Sequence, residues 1–281
     1  MRYLPRITLP ERVLTALLAY QSALDAEVET ERTKHDPKVA ERIEAFWNVR
    51  RSTKTLGAVE SALRAMASGL ERCMYCEDSH GCDIEHRYPK VPHPSKAFVW
   101  LNLLWVCAIC NRQKNDAFDK AMLDPTQEDP LDHLLFSFAT GRYAARDDSE
   151  RGLATVRILR RLASDPTLAR GRQNAVAKIR VFLREYDTLQ SQGRTAEADL
   201  IRCFVVEEPF SSAFAAVLRA STEPGATEVL SDELVAMVAR YPAMLRWLSE
   251  ADDARAEAAK PEIAALAKAV RIRKGFTDEN Y

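Results

Sequence analysis

The sequence predicts a mainly α protein carrying a small α+β insert, and three observations predict it. Apolar residues recur at helical spacing over most of the chain. Two Cys-x-x-Cys pairs lie in the one stretch where that spacing lapses. Gly and Pro number only 9 and 13 in 281 residues, which leaves little room for long irregular linkers. The chain divides into a helical N-terminal region over 1–70, a zinc-bound core over 71–120, a helical region packing on it over 121–195, and a C-terminal helical region over 196–281. The last boundary, near 195, is a soft one.

The N-terminal region reads as three helices. Val13, Leu14, Leu17, Leu18 and Leu24 keep helical spacing after Pro10 and Glu11. Pro37–Arg50 forms a second, with Ile43, Phe46 and Trp47 on one stripe. Thr53–Gly69 forms a third through Leu56, Val59, Leu63 and Met66, with Gly69 placed to cap its C-terminus. Beyond the insert, Asp124-Pro125 and Asp129-Pro130 punctuate a loop. Leu131–Tyr143 reads as a short amphipathic element or a strand pair. Helices follow over Arg151–Leu162, Leu168–Ser191, Phe210–Ala220, Ser231–Ala254 and Pro261–Ile272.

The insert is built on Cys73-Met-Tyr-Cys76 and Cys107-Ala-Ile-Cys110. Two thiolate pairs, each on a tight turn, are what a tetrahedral four-cysteine zinc site requires, and such a site leaves no coordination position open for chemistry. The segment between the pairs is long enough for a hairpin and a return loop but too short for a separate domain. A pair of disulfides is the competing reading. Met1–Pro10 carries no charged segment leading into an apolar run, so the chain is expected in the reducing cytoplasm, where metal is favoured over disulfide. Of the two remaining cysteines, Cys82 is expected to be a small buried hydrophobe; Cys203 has no assigned role.

The residues this clamp holds carry the chemistry. Asp83-Ile-Glu85-His86 reads as the end of a short strand, so Glu85 and His86 reach one site only if the strand bends or stops there. Asn102 follows in the hydrophobic turn Trp100–Trp105, and Asn111 opens a helix directly after Cys110. Carboxylate and amide oxygens are hard ligands suited to Mg²⁺ or Mn²⁺, and a neutral imidazole can take a proton from water near neutral pH. Lys114, one turn beyond Asn111, touches phosphate or is solvated; with Arg112 it is a candidate nucleic-acid contact. Asp83 either braces the metal ligands from behind or is a strand-edge charge. His80 and His93 lie in flanking loops, and His93, between two prolines, sits in a rigid turn that could approach substrate. Trp100 and Trp105 are expected to pack the hairpin against its helix.

Cys-x-x-Cys, an acidic-x-acidic-His run, an Asn in an apolar turn and Cys-x-x-Cys-Asn-x-x-Lys together resemble the HNH endonucleases and their ββα-metal motif, over roughly Arg72–Asp116. The resemblance implies hydrolysis of DNA phosphodiesters to 5′-phosphate and 3′-hydroxyl ends. It implies that His86 is the general base and that Glu85 and Asn111 ligate a catalytic Mg²⁺ or Mn²⁺. Asn102 would pin the loop and orient the base. An Asn at 111, where the family also uses His, argues for an oxygen-ligated metal. More loosely, residues 40–200, with Trp47 and Lys54 ahead of the first knuckle, are similar to the HNH subunits of Septu and retron-linked anti-phage systems. That likeness implies a role in antiviral defence and an ATPase partner subunit.

Net charge is −1 and the pI about 6.6, so overall charge does not announce a nucleic-acid binder. The bases are clustered, however: Arg50, Arg51 and Lys54, then Arg151, Arg157, Arg160, Arg161, Arg170, Arg172, Lys178, Arg180 and Arg184. Flanking the motif, they make a phosphate-binding surface credible without specifying sequence. No apolar run approaches the roughly 20 residues a membrane helix needs. Two other readings compete with a DNA nuclease: an RNA-cleaving nuclease, since nothing selects deoxyribose, and a non-catalytic zinc module that docks on nucleic acid or on a partner protein.

Overall fold

A computed structural model describes residues 1–33 and 38–271, and it is mainly helical. Pro37 and Ile272, at the ends of two expected helices, lie outside the described residues. Three helices lead in: α1 (Glu11–Thr33), α2 (Val39–Arg51) and α3 (Lys54–Met66). Thr53 begins α3 by accepting a hydrogen bond from the Leu56 N–H, which satisfies one of the donors a helix N-terminus leaves unpaired. Gly69 is not its cap. The helix ends at Met66, and Gly69 lies in the following loop at φ +55°, where a Cβ would come 2.8 Å from the Glu207 carbonyl oxygen.

The insert forms next. Strand β1 (Asp83–His86) pairs antiparallel with β2 (Leu103–Val106), Asp83 opposite Val106 and His86 opposite Leu103, and helix α4 (Ala108–Lys114) follows at once. Trp105 lies inside, as expected, and holds the hairpin so tightly that a Cβ on Gly81 would run into its ring. Trp100 is half-buried, with the Arg6 guanidinium 4.8 Å from its ring centre. Arg6 also donates to the carbonyls of Trp100, Leu101 and Leu103, clamping the turn that carries Asn102.

The ambiguous stretch after residue 130 is a strand pair: β3 (Leu134–Phe136) with β4 (Tyr143–Ala145). Helices α5 (Glu150–Ile158), α6 (Arg161–Ser164), α7 (Pro166–Ser191), α8 (Thr195–Glu207), α9 (Ser211–Thr222), α10 (Ala226–Val229), α11 (Asp232–Arg240) and α12 (Trp247–Lys268) complete the order. The expected helix over Ser231–Ala254 is broken: Pro242 stops α11 and opens a 3-10 turn to Arg246. Pro261, by contrast, lies inside α12. It sits on the exposed face, as does Glu257 one turn earlier, so the carbonyl the proline strands can turn to water. Buried side chains from Met1 to Val270 form one continuous core, with α12 packed along α3 and α7 against α8 and α9. No described helix is long and apolar enough to cross a membrane.

Candidate functional site

The four cysteines converge as the spacing predicts. Cys73, Cys76, Cys107 and Cys110 are buried and unbridged, and their sulfurs lie within 4.8 Å of one another. The first pair sits on a turn closed by the Glu77 N–H to the Cys73 carbonyl, and tied to β2 by the Met74 N–H to the Trp105 carbonyl. The second is made by a helix start. Cys107 caps α4, its Sγ accepting from the Cys110 N–H at 3.5 Å, so the positive end of the helix faces the sulfur. Burial pushes the Cys73 thiol up, while contacts from Cys110, Cys73 and Cys76 pull Cys107 down. Four buried, unbridged thiols this close together suit a metal ion such as zinc. Arg161 supplies a guanidinium N–H to Cys110 Sγ at 3.7 Å while paired with Asp165. Sequence spacing held no sign of that contact, because Arg161 arrives from a distant helix.

Asn102 is 3% exposed and makes three hydrogen bonds. Its Oδ1 accepts from the Tyr88 N–H at 2.7 Å; its Nδ2 donates to the carbonyls of Tyr88 at 3.0 Å and Lys96 at 2.8 Å. The side chain therefore staples both ends of the 88–96 loop. Ala97, next along, turns its carbonyl to His86 Nε2 at 3.0 Å. That bond assigns the proton to Nε2 and leaves Nδ1 as the acceptor nitrogen. The His86 ring packs edge-on against Trp47, centres 4.3 Å apart, and is 6% exposed. Burial first, then the charge of Lys90, lowers its pKa to about 3, so the ring is neutral at physiological pH.

Strand alternation persists to the end of β1. His86 turns to α2 and its Trp47, while Glu85 turns to α4. There its Oε1 lies 2.6 Å from Lys114 Nζ, and Lys114 also donates to the His86 carbonyl at 3.0 Å. Lys114 is thus neither solvated nor free for phosphate: it is 1% exposed and held by the strand. The i+3 spacing placed it on the face of α4 that carries Asn111, but that face is covered by β1. Burial raises the Glu85 carboxyl above its usual range, and Lys114 opposes the rise. Asn111 Nδ2 donates to Asp83 Oδ2 at 3.2 Å, and Arg51 contacts Asp83 Oδ1 at 3.3 Å. Asp83 therefore touches Asn111 directly, and the amide oxygen of Asn111 makes no hydrogen bond among the described residues. Among those residues the four cysteines are the one His, Cys, Asp and Glu grouping close enough to hold a metal ion unaided.

Other expected residues fall elsewhere. Cys82 is exposed, not buried, because it precedes β1 outside the packed hairpin. Arg112 and His80 are exposed, and His93 joins Tyr88 and Phe118 in a half-buried cluster of three rings. The second basic cluster is largely committed within the fold. Arg172 is fully buried and donates to the carbonyls of Gly141 and Leu162. Arg151, Arg157, Lys178 and Arg184 pair with Glu128, Asp119, Glu208 and Glu233. A count of bases along a sequence cannot register these partners. Glu77 was also missed. It follows Cys76 at φ +60° and accepts bonds from the Met1 amino group and from Ser211 and Ser212, tying the first knuckle to α9. Comparison with protein-family models, with curated proteins and with solved structures gave no match.

Proposed function

We propose that the chain is a metal-dependent HNH endonuclease that hydrolyses DNA phosphodiester bonds, built on a structural zinc site at Cys73, Cys76, Cys107 and Cys110. The observation that carries this reading is the three-bond staple of Asn102 on the loop that leads to the His86 partner. A zinc clamp alone does not require a buried Asn that fixes the loop running up to the carbonyl partner of His86.

The residues fit a second, hard cation. The Oε1 of Glu85 is buried and has no directed hydrogen bond, Lys114 approaching it as a charge contact only. The amide oxygen of Asn111 is uncommitted among the described residues, and the donors are oxygen atoms of the kind Mg²⁺ and Mn²⁺ take. A divalent ion held by Glu85 and Asn111 would polarise the phosphate and stabilise the departing oxygen. His86, neutral and with Nδ1 as its acceptor, would take the proton from the attacking water once substrate binding opens the packing that holds its pKa at about 3. The water oxygen bonds to phosphorus, the bond to the 3′ oxygen breaks, and a 5′-phosphate and 3′-hydroxyl remain. Asp83 holds Asn111, and Trp47 with the Ala97 carbonyl holds the ring of His86. RNA is the alternative substrate. A role in anti-phage defence beside an ATPase partner extends the same reading.

The burial of His86 favours a second reading, a zinc module that binds nucleic acid or a protein without cutting. Cleavage of supercoiled plasmid with Mg²⁺ or Mn²⁺, wild type beside His86→Ala, separates the two. Nicking or linearisation by wild type alone, with zinc content and melting temperature of the variant unchanged, supports the endonuclease. Absence of cleavage of plasmid and of RNA by wild type refutes it.

A further inference from the structure

A lysine with its ammonium fully enclosed needs a reason to be charged there, since desolvation disfavours the charge. The surroundings of Lys114 supply it. Its side chain is sealed from solvent; Nζ lies 2.6 Å from Glu85 Oε1, 3.0 Å from the His86 carbonyl and 3.5 Å from the Asn115 carbonyl. The approach to Glu85 is close but not aligned as a hydrogen bond, which leaves Oε1 without a directed donor. Lys114 thus spends directed hydrogen bonds on the two backbone carbonyls and meets Glu85 Oε1 as a charge contact alone, the one contact of the three without direction. The ammonium also bridges the strand that carries Glu85 to the helix that carries Asn111.

We propose that Lys114 is the resident counter-cation of Glu85: it neutralises the carboxylate and keeps β1 seated on α4 until a divalent ion displaces its ammonium from Oε1. This rests on Glu85 being a ligand of the catalytic metal. Lys114 is a positioning residue, acting through Glu85 and not on the phosphate. A single ammonium contact is released from Oε1 more readily than a guanidinium held by two parallel bonds would be. The divalent ion must then compete with a built-in charge, so the site fills only when that ion is supplied in sufficient concentration.

The test is Mn²⁺ binding to the zinc-loaded protein, followed by electron paramagnetic resonance or calorimetry, for wild type, Lys114→Met, Lys114→Gln, Lys114→Arg and Glu85→Gln. Removing the competing charge in the Met and Gln variants is expected to tighten Mn²⁺ binding by at least about tenfold. The Arg variant should bind like wild type or more weakly, and Glu85→Gln should lose the site. Unchanged or weaker binding in both uncharged variants, with zinc content intact, overturns the proposal. Should those variants not fold, acylation of Lys114 in the wild-type protein, mapped by mass spectrometry, decides. Reactivity that rises with Mn²⁺ supports displacement, and reactivity that does not overturns it. Wild type that binds Mn²⁺ no better than Glu85→Gln would refute the metal reading of Glu85 itself.

Discussion

Replacing Asn102 with Ala gives the sharpest check on the site. The substitution removes three hydrogen bonds, of 2.7, 3.0 and 2.8 Å, and strands the Tyr88 N–H and the carbonyls of Tyr88 and Lys96. Each bond contributes about 1 kcal/mol net, and the half-buried Tyr88 and exposed Lys96 leave partners that water can reach, so the loss should be about 3 kcal/mol. For a chain of this size that lowers the melting temperature by roughly 6–12 °C. The loop it frees leads into Ala97, so the His86 ring loses the contact that assigns its tautomer. Cleavage should therefore fall further than stability does, even at temperatures where the variant is folded. Urea unfolding measured beside plasmid cleavage makes the comparison. A stability change under about 1 kcal/mol would refute the staple. A large change with wild-type turnover by the folded variant would show that the loop does not orient His86.

Three further outcomes follow from the geometry. Cys110→Ala should abolish zinc binding, measured by elemental analysis, and collapse the hairpin, because metal binding and folding of such a module are one equilibrium. Arg161→Gln removes the guanidinium beside Cys110 Sγ. It should speed chelator-driven zinc release by about 10-fold, with the zinc content of the untreated protein unchanged. Gly81→Ala places a methyl group against the Trp105 ring. It should cost about 1–3 kcal/mol, read as a lowered denaturant midpoint and altered tryptophan fluorescence.

The parts of the molecule readable from sequence are those governed by local rules. Paired cysteines on short turns, apolar residues at helical spacing in α1 to α3, and the hairpin between the knuckles all depend on neighbours a few residues away. The illegible parts depend on what lies across the fold. Lys114 has the sequence context of a surface lysine, and only the pairing of α4 with β1 buries it. Arg172 stands in a basic run yet spends its guanidinium on two carbonyls. Pro242 and Pro261 are both exposed, but one ends a helix and the other does not: the residue four earlier is buried Val238 in the first case and exposed Glu257 in the second, where the stranded carbonyl can turn to water. For the site itself, Asn102 and the cysteines were legible. Glu85 and His86 were expected at one site on condition that β1 bends or ends there; alternation instead holds to its last residue and sends them to Lys114 and Trp47.

The packing of α12 along α3 ties the last described helix to the element that feeds the first zinc knuckle. A fragment ending near residue 195 would uncover the face of α3 that carries Gly57, where Leu266 of α12 rests. Amide hydrogens of α3, α12 and the knuckle would then exchange together, as one slow class, and stripping the metal would speed exchange in a helix that never touches it. α3, α12 and the first knuckle thus share a single opening event, and an expression fragment cut between the two helices would be prone to aggregate.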